Sequence, residues 1–79
     1  MSGTTQQLDV REIPPYKKHA TIFKTYNNLA AGEAFVIIND HDPKPLQFQF
    51  AAEHGKDKFS WEYLEEGPTV WKVQIGKTE

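Results

Sequence analysis

The run Ala34-Phe35-Val36-Ile37-Ile38 contains no polar residue and is rich in β-branched side chains. A half-exposed strand would alternate. An unbroken run means a strand buried on both faces or placed centrally in its sheet. In a chain of 79 residues such a strand constrains everything else, because the remaining segments must layer around it. The length suits one domain, and a domain this small buries only about 60% of its unfolded surface. Ten aromatic residues supply much of the core volume.

The flanking segments supply those layers. Leu8-Asp9-Val10 reads as a short first strand, broken by Arg11-Glu12-Ile13-Pro14-Pro15 because proline removes a ladder donor. From about Tyr16 to Leu29 the spacing is helical. His19, Ile22, Phe23 and Tyr26 fall on one stripe, which places His19 in the first turn facing the sheet. Ala31-Gly32 is the expected helix stop. After the central strand, Asp42 is expected to cap a second helix with Pro43 at its first position. Leu46-Gln47-Phe48-Gln49-Phe50 alternates like a strand, but the cap signal and Ala51-Ala52-Glu53-His54 favour a helix, which is the reading taken. Phe59 to Glu65 and Val70 to Ile75 alternate around Glu66-Gly67-Pro68 and form a hairpin with a loop of about three to five residues.

The order is therefore βαβαββ, an α/β two-layer sandwich. Right-handed crossovers put both helices on one face of a mixed four-stranded sheet. The domain is expected over residues 8–76, with residues 1–7 and 77–79 as tails, the first of them flexible. Both helix N-termini then lie at the carboxyl edge of the strands, and His54 at the opposite edge.

Composition excludes several functions. Net charge is −2, and lysines are scattered among acids, which argues against nucleic acid or an anionic membrane as partner. No apolar run approaches the roughly 20 residues that span a bilayer. The start lacks an apolar signal segment, so a cytoplasmic location is the default expectation. With no cysteine, disulfides, thiolate ligands, persulfide carriage and cysteine nucleophiles are excluded.

The candidate site is Asn39-Asp40-His41-Asp42-Pro43-Lys44-Pro45, a polar run at the end of the central strand, where small α/β domains place their sites. Chain geometry brings His19 to the same edge, and the Glu65-to-Pro68 turn joins them if the third strand runs parallel to the second. Neutral imidazoles ligate zinc, iron and copper, and Asp40, Asp42 or Glu66 could complete a set with His19 and His41. The competing reading is structural: Asp42 caps, Asp40 accepts backbone N–H groups in a turn, and His19 is a core-edge residue. No HxxH or HExxH spacing is present.

The chain resembles the uncharacterised bacterial family known as domain of unknown function 2249. The matching residues are Leu8-Asp9-Val10-Arg11, His19, Gly32-Glu33, Asn39 to Leu46, Gln49-Phe50, Trp61-Glu62-Tyr63-Leu64, and Gly67-Pro68 followed by Trp71. The resemblance implies the fold of the TusA-like sulfur carriers, with sheet order 1-2-4-3. In those, a cysteine before proline opens the first helix. Here the stretch is Ile13-Pro14-Pro15-Tyr16, so sulfur carriage does not transfer. It also implies an association with hemerythrin-like or redox proteins.

Three functions remain. The leading one is a non-catalytic binding module for a transition metal (zinc, iron or copper) or a small ligand at His19, His41, Asp40 and Asp42, with Asn39, Lys44, Arg11 and Glu66 as further contacts. The second is an adaptor for an iron or redox protein, or a homodimer, through the open sheet face. The third is an enzyme acting on a small anion held at the helix N-termini, with Lys44 or Arg11 as counter-charge.

Overall fold

A computed structural model of the chain describes residues 6–78. The expected tail residues 1–5 and Glu79 lie outside the described residues. Along the chain run β1 (Gln6–Asp9), α1 (Pro15–Asn27), β2 (Ala34–Asn39), α2 (Lys44–His54), β3 (Phe59–Glu66) and β4 (Trp71–Lys77). The sheet order is β1-β2-β4-β3. β1 is parallel to β2, and β4 is antiparallel to both β2 and β3, so β3 runs the same way as β1 and β2. This is the expected mixed α/β sheet with β2 inside it.

The register explains the layering. Leu8 pairs with Ile37, Ile37 with Val73, and Val73 with Tyr63. Phe35, Ile75 and Trp61 form the next row. These rows meet Ile22, Phe23 and Tyr26 of α1 and Phe50 of α2 in one apolar cluster. Phe50 is its hub, with ring centroids 4.3 Å from Phe23, 5.2 Å from Tyr26 and 5.3 Å from Phe59. The uncovered face of the sheet holds Val36 and Ile38 in register with Gln7, Asp9, Lys72 and Gln74.

Several expectations shift. β1 takes in Gln6 and Gln7, which read as tail, and ends at Asp9; Val10 continues the pairing by donating its N–H to Ile38 O at 3.0 Å. β4 reaches Lys77, again beyond the expected boundary. α1 starts on Pro15 and ends at Asn27, before Ala31-Gly32. His19 is therefore the fifth helical residue, past the first turn. α2 forms where alternation competed with helix signals, burying Phe50 and leaving Phe48 exposed. Its cap position falls on Pro43, which has no side-chain donor or acceptor. Asp42 nevertheless accepts the Lys44 N–H at 3.1 Å, so it does a cap's work from one residue earlier. The loop between β3 and β4 has four residues, and Gly67 N–H closes it on Val70 O at 2.9 Å. A bulge at Leu64 offsets β3 against β4.

Candidate functional site

The carboxyl edge of β2 lies between the beginnings of the two helices. Asn39 ends β2 on the helix-covered face and is only 3% exposed. Pro15, Lys18 and His19 come from α1, and Pro43, Pro45, Leu46 and Gln49 from the start of α2. With Ile22 and His41 they line an open cavity of about 220 Å³. Its walls are apolar: three prolines, Ile22 and Leu46. Its polar groups are Lys18, His19, Asn39, His41 and Gln49. Lys18 Nζ donates to Asn39 Oδ1 at 3.5 Å, a long contact between two lining residues.

Each imidazole is backed by a carboxylate. His41 Nδ1 lies 2.6 Å from Asp40 Oδ1, and this bond above all holds the Asp40 carboxyl below its usual range. His19 Nε2 lies 3.4 Å from Glu53 Oε2, a residue of α2. The same ring stacks on Phe23, centroids 4.2 Å apart and 8° from parallel. His19 therefore faces the second helix rather than the sheet. Stacking, the carboxylate and the cavity wall fix its plane.

The other expected site residues go elsewhere. Asp42 accepts the Tyr63 hydroxyl at 2.8 Å as well as the Lys44 N–H, and so joins β3 to the start of α2. Arg11 pairs with Asp9: its Nε and Nη2 meet the two carboxylate oxygens at 2.9 and 2.6 Å. Neither Arg11, Lys44 nor Glu66 lines the cavity. Among the described residues no group of three or more His, Asp or Glu side chains is gathered so as to hold a metal ion.

Sequence reasoning names none of Lys18, Gln49 and Glu53 as a site residue. Lys18 sits one residue before His19, off the apolar stripe, where a lysine reads as solvated. Glu53 reaches His19 only once α1 and α2 are packed side by side. Its spacing of 34 positions carries no local signal.

Residues 7–77 match the family described as an uncharacterized conserved protein, DUF2249. No curated protein and no solved structure matches the chain. Among the described residues no helix is long and apolar enough to cross a membrane.

Proposed function

We propose, for a chain that belongs to the DUF2249 family, a non-catalytic binding module that takes a small anionic ligand in the cavity between His19 and His41. One observation carries the reading. Two imidazoles 22 positions apart in sequence line one cavity with Lys18, and among the described residues no carboxylate lines it. The acids nearest the rings, Asp40 and Glu53, are bonded to them and lie outside the lining. A cationic side chain and two amides then donate hydrogen bonds to a ligand, beside two carboxylate-backed rings and against apolar walls.

Few convergent polar groups on an apolar wall are what small-ligand sites share. The cavity of about 220 Å³ is below the usual range of roughly 300–1,000 Å³ for such sites, so the ligand is compact. A short-chain carboxylate fits both chemistries, its charge at Lys18, its alkyl part at Ile22 and Leu46. Among the described residues the lining contains no hydroxyl or thiol nucleophile, which favours binding over turnover.

Isothermal titration with butyrate, inorganic phosphate and zinc tests the reading. Wild type is expected to bind the carboxylate saturably, and His19→Ala with His41→Ala to weaken it about tenfold or more, or about 1.4 kcal/mol. Equal affinity in wild type and the double variant would overturn it. Zinc binding lost in that variant, with no carboxylate binding in wild type, would replace it with the metal reading.

A further inference from the structure

The two imidazoles of the cavity share one hydrogen-bonding constraint. A neutral ring has one N–H donor and one bare acceptor nitrogen. His41 sets Nδ1 2.6 Å from Asp40 Oδ1, and His19 sets Nε2 3.4 Å from Glu53 Oε2. An ionised carboxylate only accepts, so the N–H of each neutral ring belongs on the nitrogen that faces the carboxylate. His41 Nε2 and His19 Nδ1 are then bare acceptors. A ligand carboxylate is an acceptor as well, and neither neutral ring gives it a hydrogen bond. A second proton removes the conflict. It turns the free nitrogen into a donor and the ring into a cation, with a carboxylate already beside it.

We propose, resting on the anion-binding reading above, that the cavity takes up its anion together with protons on His19 and His41, so that it loads as pH falls through the neutral range and empties as pH rises. The surrounding charges make protonation depend on the ligand. Asp40 and Glu53 each hold negative charge against one nitrogen of a ring. Arg11 and Lys18 both act on Asp40 and help to keep it ionised. Asp42 accepts the Tyr63 hydroxyl and the Lys44 N–H instead of meeting a ring. Lys18 is the cation among the lining residues, and it opposes a second positive charge on either ring. An anion in the cavity offsets Lys18 and adds its own attraction for the imidazolium form. Linkage sets the sign: a ligand that prefers the protonated site binds more tightly where that form is populated. Imidazoles exchange this proton between about pH 5 and 8. No covalent step is involved. A proton passes from solvent to the free ring nitrogen on binding and returns to solvent on release.

Titration calorimetry with butyrate at about pH 6 and about pH 8, in pairs of buffers of different ionisation enthalpy, tests this on the full chain. Affinity is expected to rise about tenfold between the higher and the lower pH, and the dependence on buffer to show proton uptake on binding. His19→Gln with His41→Gln keeps two neutral donors and cannot take up the protons, so its affinity should be the same at both pH values. Histidine ring resonances in NMR need no variant. With butyrate present the titrations of His19 and His41 should move to higher pH. His54, which closes α2 outside the cavity lining, should not move. Saturable butyrate binding with equal affinity at both pH values and no proton uptake would overturn the proposal and leave the binding reading intact. Uptake that persists in the double glutamine variant would overturn it too, because the proton then sits elsewhere. No butyrate binding at either pH would end both.

Discussion

The Tyr63 hydroxyl donates to Asp42 Oδ1 at 2.8 Å, across 21 positions of sequence. Burial first, and then the Asp42 carboxylate, push the phenol pKa up, so it stays a donor through the neutral range. The bond ties an edge strand to the loop that starts α2, and that loop carries His41 and Pro43 into the cavity wall. A partly buried hydrogen bond to a charged group contributes about 1.5–3 kcal/mol. Tyr63→Phe should therefore lower stability by about 1–2 kcal/mol in urea unfolding. Asp42→Ala should cost more, because it also frees the Lys44 N–H. Equal costs would mean that the backbone bond contributes nothing.

Phe50 is fully buried and touches rings from α1, β3 and α2 itself. Phe→Ala in a core costs about 3–5 kcal/mol. A domain of this length has about 4–12 kcal/mol in total. Phe50→Ala should thus remove at least about a quarter of that stability, read as a lowered urea midpoint. Phe48→Ala, two positions away on the exposed flank, should change monomer stability by less than about 0.5 kcal/mol.

That contrast also shows what was legible beforehand. Phe48 and Phe50 occur in an alternating segment, and alternation alone would put them on one face of a strand. The helix was readable because Pro43 and Ala51-Ala52 bracket the segment with helix chemistry. Which phenylalanine points inward was not, because that depends on how α2 rotates against α1. The central strand and the hairpin followed from patterns within single segments, and the helices' shared face from the handedness of the crossovers. His41 at the strand end and His19 near the start of α1 were legible for the same reason. Their partners divide by distance: Asp40 is adjacent to His41, whereas Glu53 and Tyr63 reach His19 and Asp42 only through packing. The bulge at Leu64, which offsets β3 against β4, has no signature in the sequence.

Asp9 and Asp40 give a pH test at exposed positions. The Arg11 side chain holds the Asp9 carboxyl down to about 2 from an ordinary 3.8, and His41 lowers Asp40. A depressed folded-state pKa contributes stability above the unfolded value, and this is lost as pH falls through the folded one. For Asp9 the window is therefore about 2 to 4. Carboxyl carbon titration by NMR should show Asp9 rising toward 3.8 in Arg11→Ala, and Asp40 rising in His41→Ala. Crossed effects, with Arg11→Ala moving Asp40 as much as Asp9, would contradict this pairing.

His54 closes α2 among aromatic rings, 4.7 Å from Tyr26 and 5.6 Å from Phe23. Its Nε2 is buried with no hydrogen-bond partner among the described residues. An unpaired buried polar atom costs about 1–3 kcal/mol, and an apolar group of similar shape avoids that cost. His54→Phe should therefore raise stability by about 1 kcal/mol, read as a higher urea midpoint at unchanged slope. A loss would show that the ring nitrogen is satisfied in solution.

Gly67 stands at the turn between β3 and β4 with φ +54°, in the left-handed region. A Cβ there would lie 2.8 Å from the six-membered ring of Trp71, well inside contact distance. Two effects then add in Gly67→Ala: about 1 kcal/mol for the left-handed backbone, and displacement of a rigid indole. Trp71 cannot retreat freely, because its ring packs edge-on against Tyr63, centroids 6.2 Å apart. Moving it disturbs the residue that bonds Asp42. Gly67→Ala should lower stability by about 2–3 kcal/mol and shift the tryptophan fluorescence. In a Trp71→Leu background, where the clash is relieved, the same change should cost only the backbone share of about 1 kcal/mol. Equal losses in the two backgrounds would rule out the steric account and leave backbone strain as the whole cause.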